Sequence, residues 1–339
     1  MKDIRTVDYH TEGEPFRIVE QPPVEFPGET VAERRVRAVN DPAAQELRQF
    51  LCYEPRGHAD MYGGFIVPPN DEGAHLGVLF WHKDGFSTAC GHGTMALGVW
   101  AVQSGLVTPD PSGTTEVSID VPSGRVIARV STSQEGKPVA VDFVNVPSYV
   151  LHRQVPVETS HGEVTADVVY GGAIYAHVPA SSVGLSVIPE NYTALIAAGR
   201  EIKWKLNGTS WAEHPSDERL SGIYGTILFD DLGTEESTGA PHQRNITVFA
   251  DGEVDRSPCG SGTCSRVAAL AADGTLEQNQ TLVHDSIVNT RFHARWAERV
   301  TADGHDAVVP HVTGMAFRTG HHTFEADPAD PLKQGFVLR

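Results

Sequence analysis

Two cysteines open the same short phrase at two places in this 339-residue chain: Cys90-Gly91-His92-Gly93-Thr94 and Cys259-Gly260-Ser261-Gly262-Thr263. Each phrase leads into a run of small and apolar residues. A glycine closes each run fifteen positions after its cysteine, at Gly105 and Gly274. A free thiol has a pKa of about 8.5, lowered when it sits beside the N–H groups of a helix start. The glycines after each cysteine let the backbone turn tightly and expose those N–H groups. Each phrase therefore reads as a thiol beside an anion-binding nest. Facing each other, two such nests share one carboxylate while the thiols flank the neighbouring carbon. In that arrangement one cysteine, as thiolate, would remove the α-proton, and the other, as thiol, would deliver a proton to the opposite face. The bundled N–H donors stabilise the developing enediolate as an oxyanion hole stabilises a tetrahedral intermediate.

Such a pair needs a duplicated unit to carry it. The length favours two domains, and the expected fold class is α/β (α+β) with two similar halves. The first half is expected at 1–150 and the second at 151–317, with the tail from about 318 to 339 returning to the first. Apolar patterning favours strands at 4–20 and 29–40, the latter on Val31, Val36 and Val39. Asp41-Pro42 gives an N-cap followed by proline at N1, opening a helix through Leu47, Phe50 and Leu51. Buried strands follow at Gly64–Val67 and Gly77–Trp81, joined through the turn Lys83-Asp84-Gly85. The helix from about Thr94 is apolar nearly all round, as an interior helix is. Further strands are read at Glu116–Asp120, Val126–Val130, 139–145 and 165–170, with a polar, proline-bearing boundary near 145–165. Pro189 opens a long helix through Ala198. Strands follow at Tyr224–Leu228 and Ile246–Phe249, a turn at Asp251-Gly252, then the second cysteine helix. The last strands are read at Leu282–His284, Ile287–Val288 and Ala307–Val309.

The formal charge of −18 argues against nucleic acid and anionic membrane surfaces, which need clustered lysine or arginine. No apolar run is long enough to span a membrane, and Met1–Val7 lacks a signal-peptide stretch. Four cysteines (Cys52, Cys90, Cys259 and Cys264) are no disulfide framework in a chain this long. A reducing cytoplasm suits thiols that do chemistry. No lysine sits in a Schiff-base context, so no pyridoxal phosphate or other cofactor is implied.

The stretches Ser87-Thr88-Ala89-Cys90-Gly91-His92-Gly93-Thr94 and Asp255-Arg256-Ser257-Pro258-Cys259-Gly260-Ser261-Gly262-Thr263 closely resemble the two signatures of the proline racemase family. That family includes proline racemase, 4-hydroxyproline 2-epimerase and trans-3-hydroxy-L-proline dehydratase. The resemblance runs almost end to end, through His10–Pro15, Asp60–Gly64, Tyr170–Ala173 and Thr319–Phe324. It implies that Cys90 and Cys259 are the paired catalytic bases and that His92 and Asp255 hold the substrate ring nitrogen. Backbone amides of Gly91, His92, Gly260 and Ser261 would bind the carboxylate. Phe249 would pack on the pyrrolidine ring, and Tyr62 would occupy a second aromatic position where its hydroxyl can meet a substrate hydroxyl. The implied fold is like that of diaminopimelate epimerase, each half wrapping sheet around a central helix, and the implied assembly is a homodimer. The substrate is then a small molecule, proline or hydroxyproline, and Tyr62 tips the expectation to 4-hydroxyproline epimerisation. The dehydratase branch usually replaces the second cysteine with threonine, whereas this chain keeps Cys259. Ala96-Leu97-Gly98 and Val107-Thr108-Pro109 nonetheless look more like that branch.

Cys52 and Cys264 are read as buried structural thiols, and His321-His322 lacks partner spacing for a metal. His161-Gly162-Glu163 with Pro258-Cys259 and Cys264 echoes a zinc deaminase signature, but the cysteine spacing spoils the ligand geometry. A Cys–His acyl-transfer enzyme needs one thiol and leaves the duplication unexplained.

Overall fold

The computed structural model describes residues 3–338; Met1, Lys2 and Arg339 lie outside the described residues. The chain forms two compact units, one running to Asp142 and resuming at Met315, the other Phe143–Gly314. Both are mixed α/β and dominated by sheet. Among the described residues no helix is long and apolar enough to cross a membrane.

The first unit begins with β1 (Ile4–Thr11) and β2 (Glu14–Val19), followed by α1 (Val31–Asn40) and α2 (Pro42–Cys52). Next come β3 (Tyr62–Val67), β4 (Leu76–His82) and β5 (Gly85–Phe86), then α3 (Gly91–Gln103), β6 (Thr114–Val121) and β7 (Gly124–Thr132). Strand β8 (Pro138–Val144) straddles the division between units.

The second unit holds β9 (Tyr149–Thr159), β10 (Gly162–Tyr170), β11 (Ile174–Pro179), α4 (Tyr192–Leu206), β12 (Ile223–Thr234), β13 (Pro241–Phe249) and β14 (Glu253–Asp255). Then follow α5 (Gly260–Ala272), β15 (Leu282–Ser286), β16 (Arg291–Ala302) and β17 (His305–Gly314). The last strand, β18 (Ala316–Phe324), belongs to the first unit and pairs with β1.

Strand pairing repeats between the units. In the first, β18–β1 and β1–β2 are antiparallel, β2–β3 parallel, β3–β4 and β4–β5 antiparallel, β4–β6 parallel and β6–β7 antiparallel. In the second, β9–β10 and β10–β11 are antiparallel, β11–β12 parallel, β12–β13 and β13–β14 antiparallel, β13–β15 parallel and β15–β16 antiparallel. The cysteine helix falls at the same place in each series, between β5 and β6 and between β14 and β15. The strand that β9 supplies in the second unit is supplied in the first by β18, from the other end of the chain.

Helices α3 and α5 each have thirteen residues, begin one residue after their cysteine and end two residues before Gly105 or Gly274. Those glycines sit at φ +77° and +71°, the left-handed conformation that stops a helix cheaply only at glycine. Every α3 residue from Gly91 to Val102 is buried, because β1, β2, β6, β7 and β18 pack round it. Helix α5 is covered by β9, β10, β11, β16 and β17. Leu97, Val99 and Met95 are fully buried, each stabilising the unit by about 1.5–3 kcal/mol. An interior helix needs no polar face, which explains the absence of amphipathic pattern in the sequence.

Three sequence expectations are corrected. The valines of 29–40 form no strand: Thr30 accepts the Glu33 N–H as N-cap of α1. Val31, Arg34 and Ala38 share its buried face, and Val36 and Val39 point outward. Residues 145–165 are not a polar connection, because β9 and β10 form a hairpin there. Ile287-Val288 is a turn in which the Ser286 N–H donates to the Thr290 carbonyl. The Asp41 cap holds, its carboxylate accepting the Ala43 N–H at 2.8 Å. The helix after Pro189 starts at Tyr192, one 3-10 turn late.

Candidate active site

In the first unit Cys90 is the N-cap of α3, with φ −159° and ψ 103°. Its sulfur accepts the Gly93 N–H at 3.2 Å, and its carbonyl accepts both the N–H (3.0 Å) and the hydroxyl (2.8 Å) of Thr94. Gly93 has to be glycine, since a Cβ there would lie 2.8 Å from the Cys90 sulfur and 2.4 Å from the Phe16 ring. The imidazole of His92 lies against the thiol, its nitrogens 3.4 and 3.5 Å from Sγ. Strand β1 fixes the backbone there, because the Thr11 hydroxyl donates to the His92 carbonyl at 2.8 Å. Strands β2 and β3 supply Phe16 and Tyr62, whose rings meet the His92 ring edge-on with centroids 5.9 and 4.9 Å away. Tyr62 is 2% exposed and its hydroxyl is hydrogen-bonded to Ser87. Gly91, His92 and Tyr62 are thus gathered round Cys90.

In the second unit Cys259 precedes α5 with φ +65° and ψ 111°, a conformation that non-glycine residues rarely adopt. Its N–H donates to Ser257 Oγ at 3.1 Å, and both the hydroxyl (2.7 Å) and N–H (2.8 Å) of Ser257 donate to Asp255 Oδ1. The short strand β14 presents Asp255 by pairing with β13, whose Thr247 lies opposite it. Tyr175 of β11 places its hydroxyl 3.8 Å from the Cys259 sulfur and 2.7 Å from the Ser261 hydroxyl. Beneath the sulfur is again the second glycine of the phrase: a Cβ on Gly262 would come within 2.9 Å of Cys259 Sγ. Phe249 joins through Tyr224, which stacks on it at 5.5 Å and meets Tyr175 edge-on at 5.8 Å.

Burial pushes the Cys259 thiol well above its usual pKa, and the Asp255 carboxylate raises it further. The Gly262 N–H and the hydroxyls of Tyr175 and Thr247 pull the other way. A buried thiol beside a carboxylate resists ionisation, so this group is held ready to give a proton. Each unit on its own thus provides a thiol at a helix start, amides in the first turn, a polar partner (His92 or Asp255) and aromatic cover. Such a set of groups can exchange protons with a small anion held at a helix start.

Sequence reasoning missed Ser87, Tyr175 and Thr247. Ser87 lay inside a quoted signature, and Tyr175 lay two residues after Ala173 of another. Their roles became visible only when the strands brought them to the cysteines.

A family profile described as proline racemase matches residues 6–337. The trans-3-hydroxy-L-proline dehydratase of Bacillus cereus is 41% identical over 98% of this chain and 97% of its own. The 3-hydroxyproline 2-epimerase of Burkholderia multivorans is 43% identical, over 100% and 99%. Among solved structures, a hydroxyproline epimerase from Agrobacterium vitis with bound trans-4-hydroxy-L-proline superimposes with a TM-score of 0.91 at 30% identity, covering 100% of this chain and 95% of that one.

Proposed function

This chain belongs to the proline racemase family, and we propose that it is a cofactor-independent, two-thiol epimerase of hydroxyproline, with 3-hydroxyproline its preferred substrate. Membership makes it an enzyme of the racemase and epimerase class. The observation that carries the reading is the repetition of one device: a cysteine at a helix start, its sulfur folded over the second glycine of the phrase, in both units. A dehydratase needs one base, whereas inversion needs two.

In this reading amides of Gly91, His92, Gly260 and Ser261 hold the carboxylate. His92 and Asp255 hold the ring nitrogen, and Phe249 and Tyr62 line the pocket. One cysteine takes the α-proton as thiolate while the other protonates the opposite face. The 4-hydroxyproline suggested by Tyr62 gives way to 3-hydroxyproline because relatives at 41–43% identity are named for the 3-isomer. Tyr62 is committed to Ser87, so it offers a shared hydroxyl pair. The proposal includes a homodimer, on the family resemblance, and a cytoplasmic setting, which suits reduced catalytic thiols.

Dehydration of trans-3-hydroxy-L-proline is the second reading, favoured by the names of several relatives. It shares the first step. The electron pair left by the α-proton forms a C2=C3 double bond, the C3 hydroxyl departs with a proton as water, and the enamine tautomerises to a cyclic imine acid.

Proton NMR in D₂O separates these outcomes with trans-3-hydroxy-L-proline, trans-4-hydroxy-L-proline and L-proline as separate substrates. α-Deuteration with a new epimer, fastest for the 3-isomer, supports the proposal. Loss of the ring hydroxyl with imine formation replaces it by the second reading. Neither α-exchange nor loss of the ring hydroxyl on any of the three overturns both.

A further inference from the structure

The two phrases hold their threonines differently. Thr94 donates its hydroxyl to the carbonyl of Cys90, four residues back. Thr263, at the equivalent position, reaches one residue further and donates to the carbonyl of Pro258 at 3.0 Å. The difference follows from the backbone, since Cys90 is extended at φ −159° and Cys259 is at φ +65°.

Behind Pro258 lies a closed ring of side chains. Asn245 donates one amide hydrogen to the Pro258 carbonyl at 2.8 Å and the other to His284 Nε2 at 2.7 Å. With Nε2 accepting, Nδ1 carries the proton and donates to Thr263 Oγ1 at 2.8 Å. Thr263, having accepted, donates onward to the Pro258 carbonyl, so every donor has one direction to run. Asn245, Thr263 and His284 are all fully buried. Asn245 Oδ1 is left buried without a partner, a cost accepted to aim both amide hydrogens into the ring. A protonated His284 would turn an N–H against the Asn245 amide, so the ring requires the neutral form. Burial and the nearby Arg266 charge hold His284 neutral, its pKa lowered to about 3.

The ring grips one edge of the peptide plane between Pro258 and Cys259. The opposite edge, the Cys259 N–H, is gripped by Ser257 and through it by Asp255. The next plane is fixed as well, because the Thr263 N–H donates to the Cys259 carbonyl at 2.7 Å. With both flanking planes fixed, Cys259 has no relaxed φ available to it. We propose that Asn245, Thr263 and His284 are positioning residues that hold Cys259 in its left-handed backbone and so aim its thiol, a device the first phrase does not use. The inference rests on the two-thiol reading for its consequence in turnover, though not for its geometry.

The test is Thr263→Val, which keeps shape and deletes the hydroxyl, with Thr263→Ser as the conservative rescue. Iodoacetamide is applied to the intact protein, and alkylation of Cys259 and Cys90 is followed on separate peptides, so Cys90 is an internal control. A freed Cys259 relaxes to negative φ and its sulfur leaves the Gly262 N–H that favours its thiolate, so its alkylation slows by about fivefold or more in Thr263→Val. In the same variant kcat falls by about tenfold or more with KM little changed, and Thr263→Ser restores both. An unchanged Cys259/Cys90 ratio in folded Thr263→Val overturns the proposal, whatever happens to turnover. A changed ratio with wild-type turnover upholds the positioning and overturns the two-thiol reading instead. If Thr263→Val does not fold, His284→Gln is read by the same ratio.

Discussion

The hydroxyl of Tyr175 bridges Ser261 and Cys259, 2.7 Å from the serine oxygen and 3.8 Å from the sulfur. It is one of three groups that lower the thiol pKa against the larger upward push of burial and Asp255. A rate step that needs the Cys259 thiolate rises as pH passes the thiol pKa. Tyr175→Phe keeps the ring packing, removes the hydroxyl and moves that limb to higher pH. The expected result is a kcat lower by about 3- to 10-fold at neutral pH, recovering on the alkaline side. A pH–rate profile of both directions of inversion checks it, and an unshifted limb means that the hydroxyl does not act on the sulfur.

The backbone of Cys259 makes a prediction that needs no substrate. A Cβ at positive φ costs about 1–2 kcal/mol, and glycine escapes that cost. At an extended residue such as Cys90 glycine is the worse choice, by about 0.5–1 kcal/mol relative to alanine. Cys259→Gly should therefore be more stable than Cys259→Ala, and Cys90→Gly less stable than Cys90→Ala. Denaturant unfolding of the four variants measures this, and a Cys259→Ala variant as stable as Cys259→Gly or more so would show that Cys259 is not strained.

The sequence made the cysteine helices legible to within three residues, because small apolar runs bounded by glycine have one structural reading. The strands flanking them were legible because β4 is buried along its whole length and reads as continuous apolar sequence. The helix at Val31–Asn40 was not, since its valines at 31, 36 and 39 match no helical face while its buried stripe includes Arg34, whose polar end reaches the Pro68 carbonyl. Of the β9–β10 hairpin only 165–170 read as strand, because the outward Gln154, Glu158 and Glu163 are polar and Pro156 reads as a break. Around the cysteines, the phrases announced Cys90, His92, Asp255 and Cys259. Asn245, Thr247 and His284 come from strands 12 or more residues from Cys259, and only the pairing of β13 with β14 and β15 brings them to it.

His284 also sets an acid limit on stability. Its folded pKa of about 3 lies below the usual value near 6.5. Above pH 6.5 both states are neutral and the ring is intact. As pH falls from 6.5 towards 3 the unfolded chain takes up a proton that the folded one refuses, so stability drops by up to about 1.4 kcal/mol per pH unit. His177, also buried and depressed by burial and Arg266, contributes in the same direction. His284→Gln should be less stable at pH 7.5 yet lose less on going to pH 5.5. Urea unfolding at the two pH values reads the difference, and parallel losses in wild type and variant would rule out this titration.

Four glycines of the two phrases and their helix stops separate two kinds of need. At Gly93 an added methyl meets the Phe16 ring at 2.4 Å and the Cys90 sulfur at 2.8 Å. At Gly262 it meets the Cys259 sulfur at 2.9 Å and the tip of Ile227 at 3.0 Å. Phe16 is fully buried and has nowhere to go, so Gly93→Ala should cost about 1–3 kcal/mol by overpacking. The tip of Ile227 can turn aside, so Gly262→Ala should cost less in stability. In both variants the sulfur is displaced, and inversion should fall by about 100-fold, as a misplacement near 1 Å does. Gly105 and Gly274 sit at positive φ facing open space. Alanine there should cost about 1 kcal/mol of backbone strain and leave kcat at wild type. Measuring kcat and unfolding free energy for the four alanine variants distinguishes the two needs. Activity lost at Gly105 or Gly274 as severely as at Gly93 would mean that the helix stops, rather than the floor beneath each sulfur, control the chemistry.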